Sequence, residues 1–247
     1  CVSSTGSKGL MRWRFLWERL MIYLHLHGSR EHLFEIDIAN TGMDITGLRE
    51  FREADVIHLH WINQGMLSLA DISKILHSGK PVVWTMHDIW PATGICHLTL
   101  GCGAFRTQCH HCRLLPGGGS SSDLSTKIWR RKERMLKKDP PIFVACSRWL
   151  ENEAKSSALL RGQRVLSIPN PIDTRVFCPG SKAEARKQMQ LPQDKLLELF
   201  VCQRITNVNK GMDYLVEACR KMAAAYPELK DKVGLVLLGS PADAVSS

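Results

Sequence analysis

The stretch that most constrains this chain is Val82-Val83-Trp84-Thr85-Met86-His87-Asp88-Ile89-Trp90-Pro91, with Pro81 before it and Gly94 just after. A short apolar, β-branched run that ends in a polar pair reads as a strand buried on both faces, as in a parallel sheet, delivering His87 and Asp88 at its carboxyl end. In open α/β sheets that end is where ligands bind. Upstream, Asp55-Val56-Ile57-His58-Leu59-His60-Trp61 has the same form and places His60 at its exit. Between the two runs Met66, Leu67, Leu69, Ile72, Ile75 and Leu76 recur at helical spacing, and Gly79 stops that helix. Strand, helix and strand in this order make a βαβ unit.

The pattern continues along the chain. Ile142–Cys146 reads as a third strand ending at Ser147, Trp149–Leu160 as a helix, Val165–Ile168 as a short strand, and Pro169-Asn170-Pro171-Ile172-Asp173 as a rigid turn. Toward the N-terminus, residues 1–10 are polar and small and read as loop. Residues 11–27 read as a helix with apolar residues on more than one side, expected to be partly buried; its His25 and His27 are read as structural or surface groups. Phe34–Ala39 alternates like a strand and Asn40-Thr41-Gly42 turns. Near residue 179 the composition shifts and the pattern restarts: a polar helix within 180–195, a strand at Leu196–Val201, a polar loop at Arg204–Lys210, an amphipathic helix at Met212–Tyr226 and a strand at Val233–Leu238. We therefore expect two α/β domains with parallel sheets, 1–179 and 180–247. The chain opens on Cys1 and stops soon after its last strand, so both ends are expected to be cut and the second domain to be incomplete.

Composition narrows the partners. The 247 residues are 44% hydrophobic and 23% charged, an ordinary globular balance, and no run of eighteen apolar residues predicts a membrane span. The formal charge of +9 favours anionic partners or serves solubility alone. Of nine cysteines only four cluster, which favours a reducing cytoplasm over a secreted disulfide scaffold. Those four, Cys96, Cys102, Cys109 and Cys112, have the spacing C-x5-C-x6-C-x2-C in the loop after His87, with His97, His110 and His111 nearby. Four thiolates can close a structural zinc site; unmetallated thiols or two disulfides are the other readings. The remaining Cys146, Cys178, Cys202 and Cys219 are read as packing residues. Residues 127–138 hold seven Lys or Arg and one Glu, after a capping Asp123 and before Pro140-Pro141. Such a helix can lie on an anionic membrane surface or show a solvated face over an apolar side of Leu124, Ile128, Met135 and Leu136; both readings stand.

Five stretches carry a family resemblance: Asp55–Trp61, Val83–Thr93 (VWTMHDIWPAT), Ala145–Leu150 (ACSRWL), Ile168–Phe177 (IPNPIDTRVF) and Gln203–Leu215 (QRITNVNKGMDYL). In that order they resemble the group 1 (family 4) retaining glycosyltransferases of the GT-B architecture, and most of all the subgroup in bacterial capsule, lipopolysaccharide and exopolysaccharide clusters. The resemblance implies two Rossmann-like domains facing across a cleft, the first for the acceptor and the second for a nucleotide-sugar, with transfer that retains anomeric configuration. It implies that His87 contacts the donor sugar near the reaction centre with Asp88 orienting it, and that His60 stands on the acceptor side. Arg204 and Lys210 would neutralise the leaving diphosphate, so that no catalytic metal is needed, while Gly211 admits close backbone approach. The Arg–Lys spacing here is six where many members have five. Asn170 would contact the donor or fix its turn. The family's Gly-rich loop after the first strand and its pair of Glu residues eight apart are not found in the 247 residues, so this chain alone is expected to be inactive.

The implied partners are a UDP- or GDP-sugar, a glycan or lipid-linked acceptor and an anionic membrane surface met by 127–138, at the cytoplasmic face, with no nucleic acid. Two alternatives stand beside this reading. One is a zinc-containing, basic nucleic-acid-binding protein, disfavoured because no finger spacing with a recognition helix occurs and the basic residues do not interleave with aromatics. The other is a catalytically inactive sugar-binding relative.

Overall fold

The computed structural model describes residues 8–205 and 207–240. The elements are α1 (Lys8–His25), α2 (Arg49–Glu53), β1 (Ile57–His60), α3 (Leu69–Leu76), β2 (Val82–Met86), α4 (Leu124–Lys138), β3 (Ile142–Ala145), α5 (Arg148–Ser156), β4 (Val165–Ser167), α6 (Lys182–Gln188), β5 (Leu196–Arg204), α7 (Met212–Ala225) and β6 (Val233–Ser240). Chain contacts divide them into two units, Cys1–Pro171 and Ile172–Ser247, so the division falls earlier than the expected residue 179. Residues 1–7 of the expected N-terminal loop lie outside the described residues, and Lys8–Leu10 already belong to α1. Among the described residues no helix is long and apolar enough to cross a membrane.

The first unit holds a four-stranded sheet in the order β1-β2-β3-β4, every pair parallel, with Ile57 opposite Val82, Met86 opposite Ala145 and Phe143 opposite Val165. Parallel neighbours require crossovers, and α3, α4 and α5 supply them in turn. Val82, Trp84 and Met86 of β2 are buried, and Trp84 stands between Phe143 and Trp90 with ring centroids at 5.7 and 6.3 Å. Each such aromatic pair contributes about 0.5–1.5 kcal/mol beyond its buried area. Helix α3 starts on a capping box: Ser68 Oγ accepts from the Asp71 N–H at 3.1 Å while Asp71 Oδ2 accepts from the Ser68 N–H at 2.9 Å. Its Leu69, Ile72, Ile75 and Leu76 all turn inward. Asp123 caps α4 by accepting from the Thr126 N–H at 3.0 Å.

One local expectation fails here. Phe34–Ala39 forms no strand; Ile36 makes a single antiparallel bridge with Cys96. The N–H groups of Ile38 and Ala39 go instead to Glu18 Oε1, at 3.0 and 2.7 Å. Helix α1 is partly buried, as expected, through Ile22, but part of its buried side is charged. Glu18 and Arg19 are buried, whereas Trp13, Leu16, Trp17, Leu20 and Leu24 are exposed. Arg19 donates to the carbonyls of Leu33 and Ile36 and pairs with Asp37, so a charged couple on the helix, not a ladder, satisfies the backbone of 33–39. The basic helix α4 also departs from expectation at one position: Lys132 is fully buried, leaving six of the seven cations outside.

The second unit pairs β5 with β6 in parallel, Leu196 opposite Val233 and Val201 opposite Leu238, with an irregularity between Val201 and Arg204. Helix α7 connects the two strands, and Ser181 caps α6 by accepting from the Glu184 N–H at 3.3 Å.

Candidate active site at the strand exits

The exits of β1 and β2 carry three imidazoles in a row. β1 alternates buried Ile57 and Leu59 with outward His58 and His60, so both histidines share one face. Their rings lie 4.0 Å apart, and His58 Nε2 stands 2.8 Å from Thr85 Oγ1 on β2. His60 is opposite Thr85, which brings its Nδ1 to 3.1 Å from Nε2 of His87, just beyond β2. One of these nitrogens donates and the other accepts, so the bond requires at least one neutral ring. Burial first, then the neighbouring His58 and His87, hold His60 below the ordinary histidine value of 6.5. His58 was overlooked on the sequence; the His-x-His alternation on a strand was the available signal. Trp61 follows directly, exposed and at φ +42°, a conformation unfavourable to a bulky residue, with its ring 5.3 Å from that of His97. A cavity of about 670 Å³ along β1 is lined by His58, His60, Trp61, Phe51 and Ile62.

Asp88 does not orient His87. Its Oδ1 accepts from the Trp90 N–H at 2.9 Å and its Oδ2 stands 2.7 Å from His97 Nδ1. His97 Nε2 is in turn 2.7 Å from Asp37 Oδ2, and Asp37 pairs with Arg19. The run Asp88–His97–Asp37–Arg19 thus ties the turn after β2 to α1 through side chains distant in sequence. His87 itself is exposed, with His60 as its ring partner.

In the second unit Arg204 ends β5, and Lys210 closes a short 3-10 turn, Val208–Lys210. Both are exposed and neither forms an ion pair among the described residues; Thr206, between them, lies outside those residues. Gly211 takes φ +78° as it turns the chain into α7, a conformation that favours glycine. The open N-terminus of a fourteen-residue helix and two unpaired cations make a combination suited to an anion. Asn170 is exposed after β4, immediately before the division between the units. The polar anchor of that segment is Asp173, whose Oδ1 accepts from the Arg175 N–H at 2.9 Å, rather than Asn170.

The four clustered cysteines are free and line one small cavity together with Ile95, Thr99, Phe105 and His110. Among the described residues no group of three or more His, Cys, Asp or Glu side chains is gathered at the mutual spacing of metal ligands, so the expected zinc set is present as neighbours and not as a closed site. Burial pushes the Cys109 thiol up to about 12 and the Cys112 thiol up to about 11, and raises Cys96 as well, which removes them as nucleophiles. Cys178, expected to be a packing residue, is exposed.

The parallel α/β sheet with imidazoles at its carboxyl edge, and the separate parallel pair whose first loop is cationic, are each Rossmann-like. Residues 31–176 match the sequence profile of Glycosyltransferase Family 4, and the chain belongs to that family. It is similar to a D-inositol 3-phosphate glycosyltransferase of Acidothermus cellulolyticus, 32% identical over 43% of this chain and 25% of the relative. It is also similar to the putative colanic acid biosynthesis glycosyl transferase WcaC of Escherichia coli, 36% identical over 24% of this chain and 15% of the relative. The D-inositol 3-phosphate glycosyltransferase 1 of Catenulispora acidiphila is 24% identical over 78% of this chain and 40% of the relative. The chain thus spans well under half the length of these relatives.

Proposed function

We propose that this protein contributes to transfer of a sugar from a nucleotide-sugar donor to a glycan or lipid-linked acceptor, with retention, in the assembly of a surface polysaccharide. The observation that carries the reading is the imidazole row His58–His60–His87 at the carboxyl edge of a parallel sheet in a family 4 chain. In it His87 is exposed and His60 is held in the neutral form that can accept or donate one hydrogen bond. Such a pair can bind a sugar hydroxyl or offset charge that develops as the glycosidic bond to the nucleotide breaks. Trp61 offers an aromatic face beside it, and the cavity along β1 is in the size range of small-molecule sites. A transfer without a protein nucleophile at this exit is supported by Asp88, whose two oxygens are engaged by the Trp90 N–H and His97. In the second unit Arg204, Lys210 and the N-terminus of α7 would hold the diphosphate, giving the leaving group fixed positive charge without a divalent ion.

The similarity to a D-inositol 3-phosphate glycosyltransferase and to a putative colanic acid biosynthesis glycosyl transferase makes inositol phosphate and a glycan two acceptors to compare. The exposed Trp13, Leu16, Trp17, Leu20 and Leu24 of α1, together with six outward cations of α4, favour an acceptor with a lipid anchor at an anionic surface. The decisive experiment is saturable binding of UDP- and GDP-sugars by this chain, compared with Arg204→Ala, followed by transfer assays of the polypeptide that carries this sequence, offering undecaprenyl-linked sugars and inositol phosphate in parallel. Binding lost in Arg204→Ala and transfer lost in His87→Ala support the reading. Binding without transfer to any acceptor favours the inactive relative, and no binding overturns both.

A further inference from the structure

Four cysteines from one loop meet at a cavity of about 20 Å³, the size of a single small occupant. Each is fixed through its backbone by a different part of the first unit. Cys96 pairs with Ile36 in the isolated bridge, and its carbonyl accepts from Thr93 Oγ1 at 2.7 Å. The Cys102 N–H donates to the Thr99 carbonyl at 2.8 Å. The Cys109 carbonyl accepts from Thr126 Oγ1 of α4 at 3.0 Å, and the Cys112 N–H donates to Asp123, the cap of α4, at 2.9 Å. Two further details point to an anion-rich centre. The Gly94 N–H donates to Cys109 Sγ at 3.2 Å, and a Cβ at Gly94 would lie 2.6 Å from the Ser125 carbonyl, so glycine is what lets this N–H reach the sulfur. Lys132 is fully buried beside the cluster, bonded only to the carbonyls of Trp90 (2.7 Å) and Thr93 (3.1 Å) and lying over the Trp90 ring. Burial pushes its pKa well below the ordinary lysine value, while Cys109, Cys96 and Asp88 act in the opposite direction, which places Lys132 electrically next to the cluster.

We propose that Cys96, Cys102, Cys109 and Cys112 bind one structural zinc ion as a tetrathiolate, with the Gly94 N–H as a hydrogen-bond donor to the coordinated Cys109 sulfur. Four S–H bonds break, four Zn–S bonds form, and four protons leave to solvent, so that Zn²⁺ and four thiols become a site of net charge −2. Among the described residues the side chains line the cavity without standing at ligand spacing, so the proposal requires the four sulfurs to turn inward about their Cα–Cβ bonds on metal binding. An all-sulfur tetrahedral set selects zinc over oxygen-loving cations. The ion would clamp the chain between β2 and α4, the segment that also carries Asp88 and His97. The inference does not depend on which sugar the protein handles.

The test uses the whole 247-residue chain, expressed in zinc-supplemented medium and passed through gel filtration with EDTA. The expected result is about one zinc per chain, released when a mercurial titrates the thiols. Cobalt exchanged into the site should show the sulfur-to-cobalt charge-transfer and ligand-field bands of a tetrahedral thiolate complex. Cys112→Ser should lose the metal and Cys146→Ser should keep it; should Cys112→Ser fail to fold, the cobalt spectrum of the unaltered chain still decides. Metal-free protein with native circular dichroism, a cobalt spectrum without thiolate bands, or an intact mass lower by four hydrogens from two disulfides would each overturn the proposal.

Discussion

The two strand exits of this chain present polar side chains by opposite means. At β1 and β2 the side chains are held by the protein itself: His60 bonds His87, Asp88 bonds His97, His97 bonds Asp37, and Asp37 pairs with buried Arg19. At the end of β5 nothing comparable exists among the described residues. Among the described residues Arg204 and Lys210 stand exposed and unpaired, and Ile205 and Met212 are the only buried apolar residues of that unit. The first exit is organised before a ligand arrives. Under the proposed function the second would be organised by the anion it binds. Substitutions in the buried part of the first exit should therefore damage the fold, and those at the second only the affinity.

The largest expected effect tests the wiring of the first exit. Arg19→Met nearly keeps the volume of the side chain but takes the cation from Asp37, whose side chain is 1% exposed, leaving His97 as its partner. Removing one partner of a buried pair costs about 3–5 kcal/mol, read as a lower urea midpoint. The matched change in the second unit, Arg204→Met, should leave the midpoint within about 0.5 kcal/mol. A loss under about 1 kcal/mol for Arg19→Met would fall in the range of exposed pairs, and the contrast between the exits would collapse.

Next in size is activity. His87 is exposed and lies on the rim of its network, so His87→Ala should leave the urea midpoint nearly unchanged while lowering transfer by about 10²–10⁴-fold. Equal losses of transfer and stability would instead make His87 a structural member of the row. Smaller again is the effect at the second exit. Arg204→Ala and Lys210→Ala each remove a charge-assisted contact of about 1.5–3 kcal/mol, weakening nucleotide-sugar binding by roughly 10–150-fold. Because these cations are exposed, the wild-type affinity should also fall as salt is raised. Salt-independent binding would mean that the anion is not held there.

What was legible in the sequence follows the same division. Strands β1 to β6 and helices α3, α4, α5 and α7 were readable because each is written in local periodicity: Val82–Met86 as a buried run, Ser68 with Asp71 as a capping box, Asp123 ahead of α4. His60, His87, Arg204 and Lys210 were readable because they end such runs. Three misreadings involve partners that the local pattern does not mark. Phe34–Ala39 alternates like a strand, yet Glu18 takes its N–H groups across a separation of twenty residues. Asp88 sits beside His87 in sequence but turns to His97. Lys132 counts as one of seven cations on a basic helix, although the carbonyls of Trp90 and Thr93 draw it inside. Periodicity records which face is apolar. It does not record which buried charge will find a distant acceptor.

The smallest effect is also the most specific to the first exit. His60 titrates below 6.5 because burial, then His58, then His87 disfavour its cation. For a histidine whose folded value is lowered, the stability linked to the neutral ring is complete above 6.5 and is lost as pH falls from 6.5 through the folded value. That is the reverse of a histidine paired with a carboxylate. Protonating His60 also ends its hydrogen bond to His87 once both rings carry two N–H groups, so transfer should decline on the acid side together with the native His60 signal. The check is an NMR titration of the His60 ring protons in wild type and in His87→Ala. The midpoint should lie below 6.5 in the wild type and move only part of the way back in the variant, since burial, the first of the three causes, is untouched. A wild-type midpoint above 6.5 would mean that a carboxylate reaches this row in solution, and a full return to 6.5 in His87→Ala would mean that repulsion between imidazoles, not burial, sets the state in which the row meets its ligand.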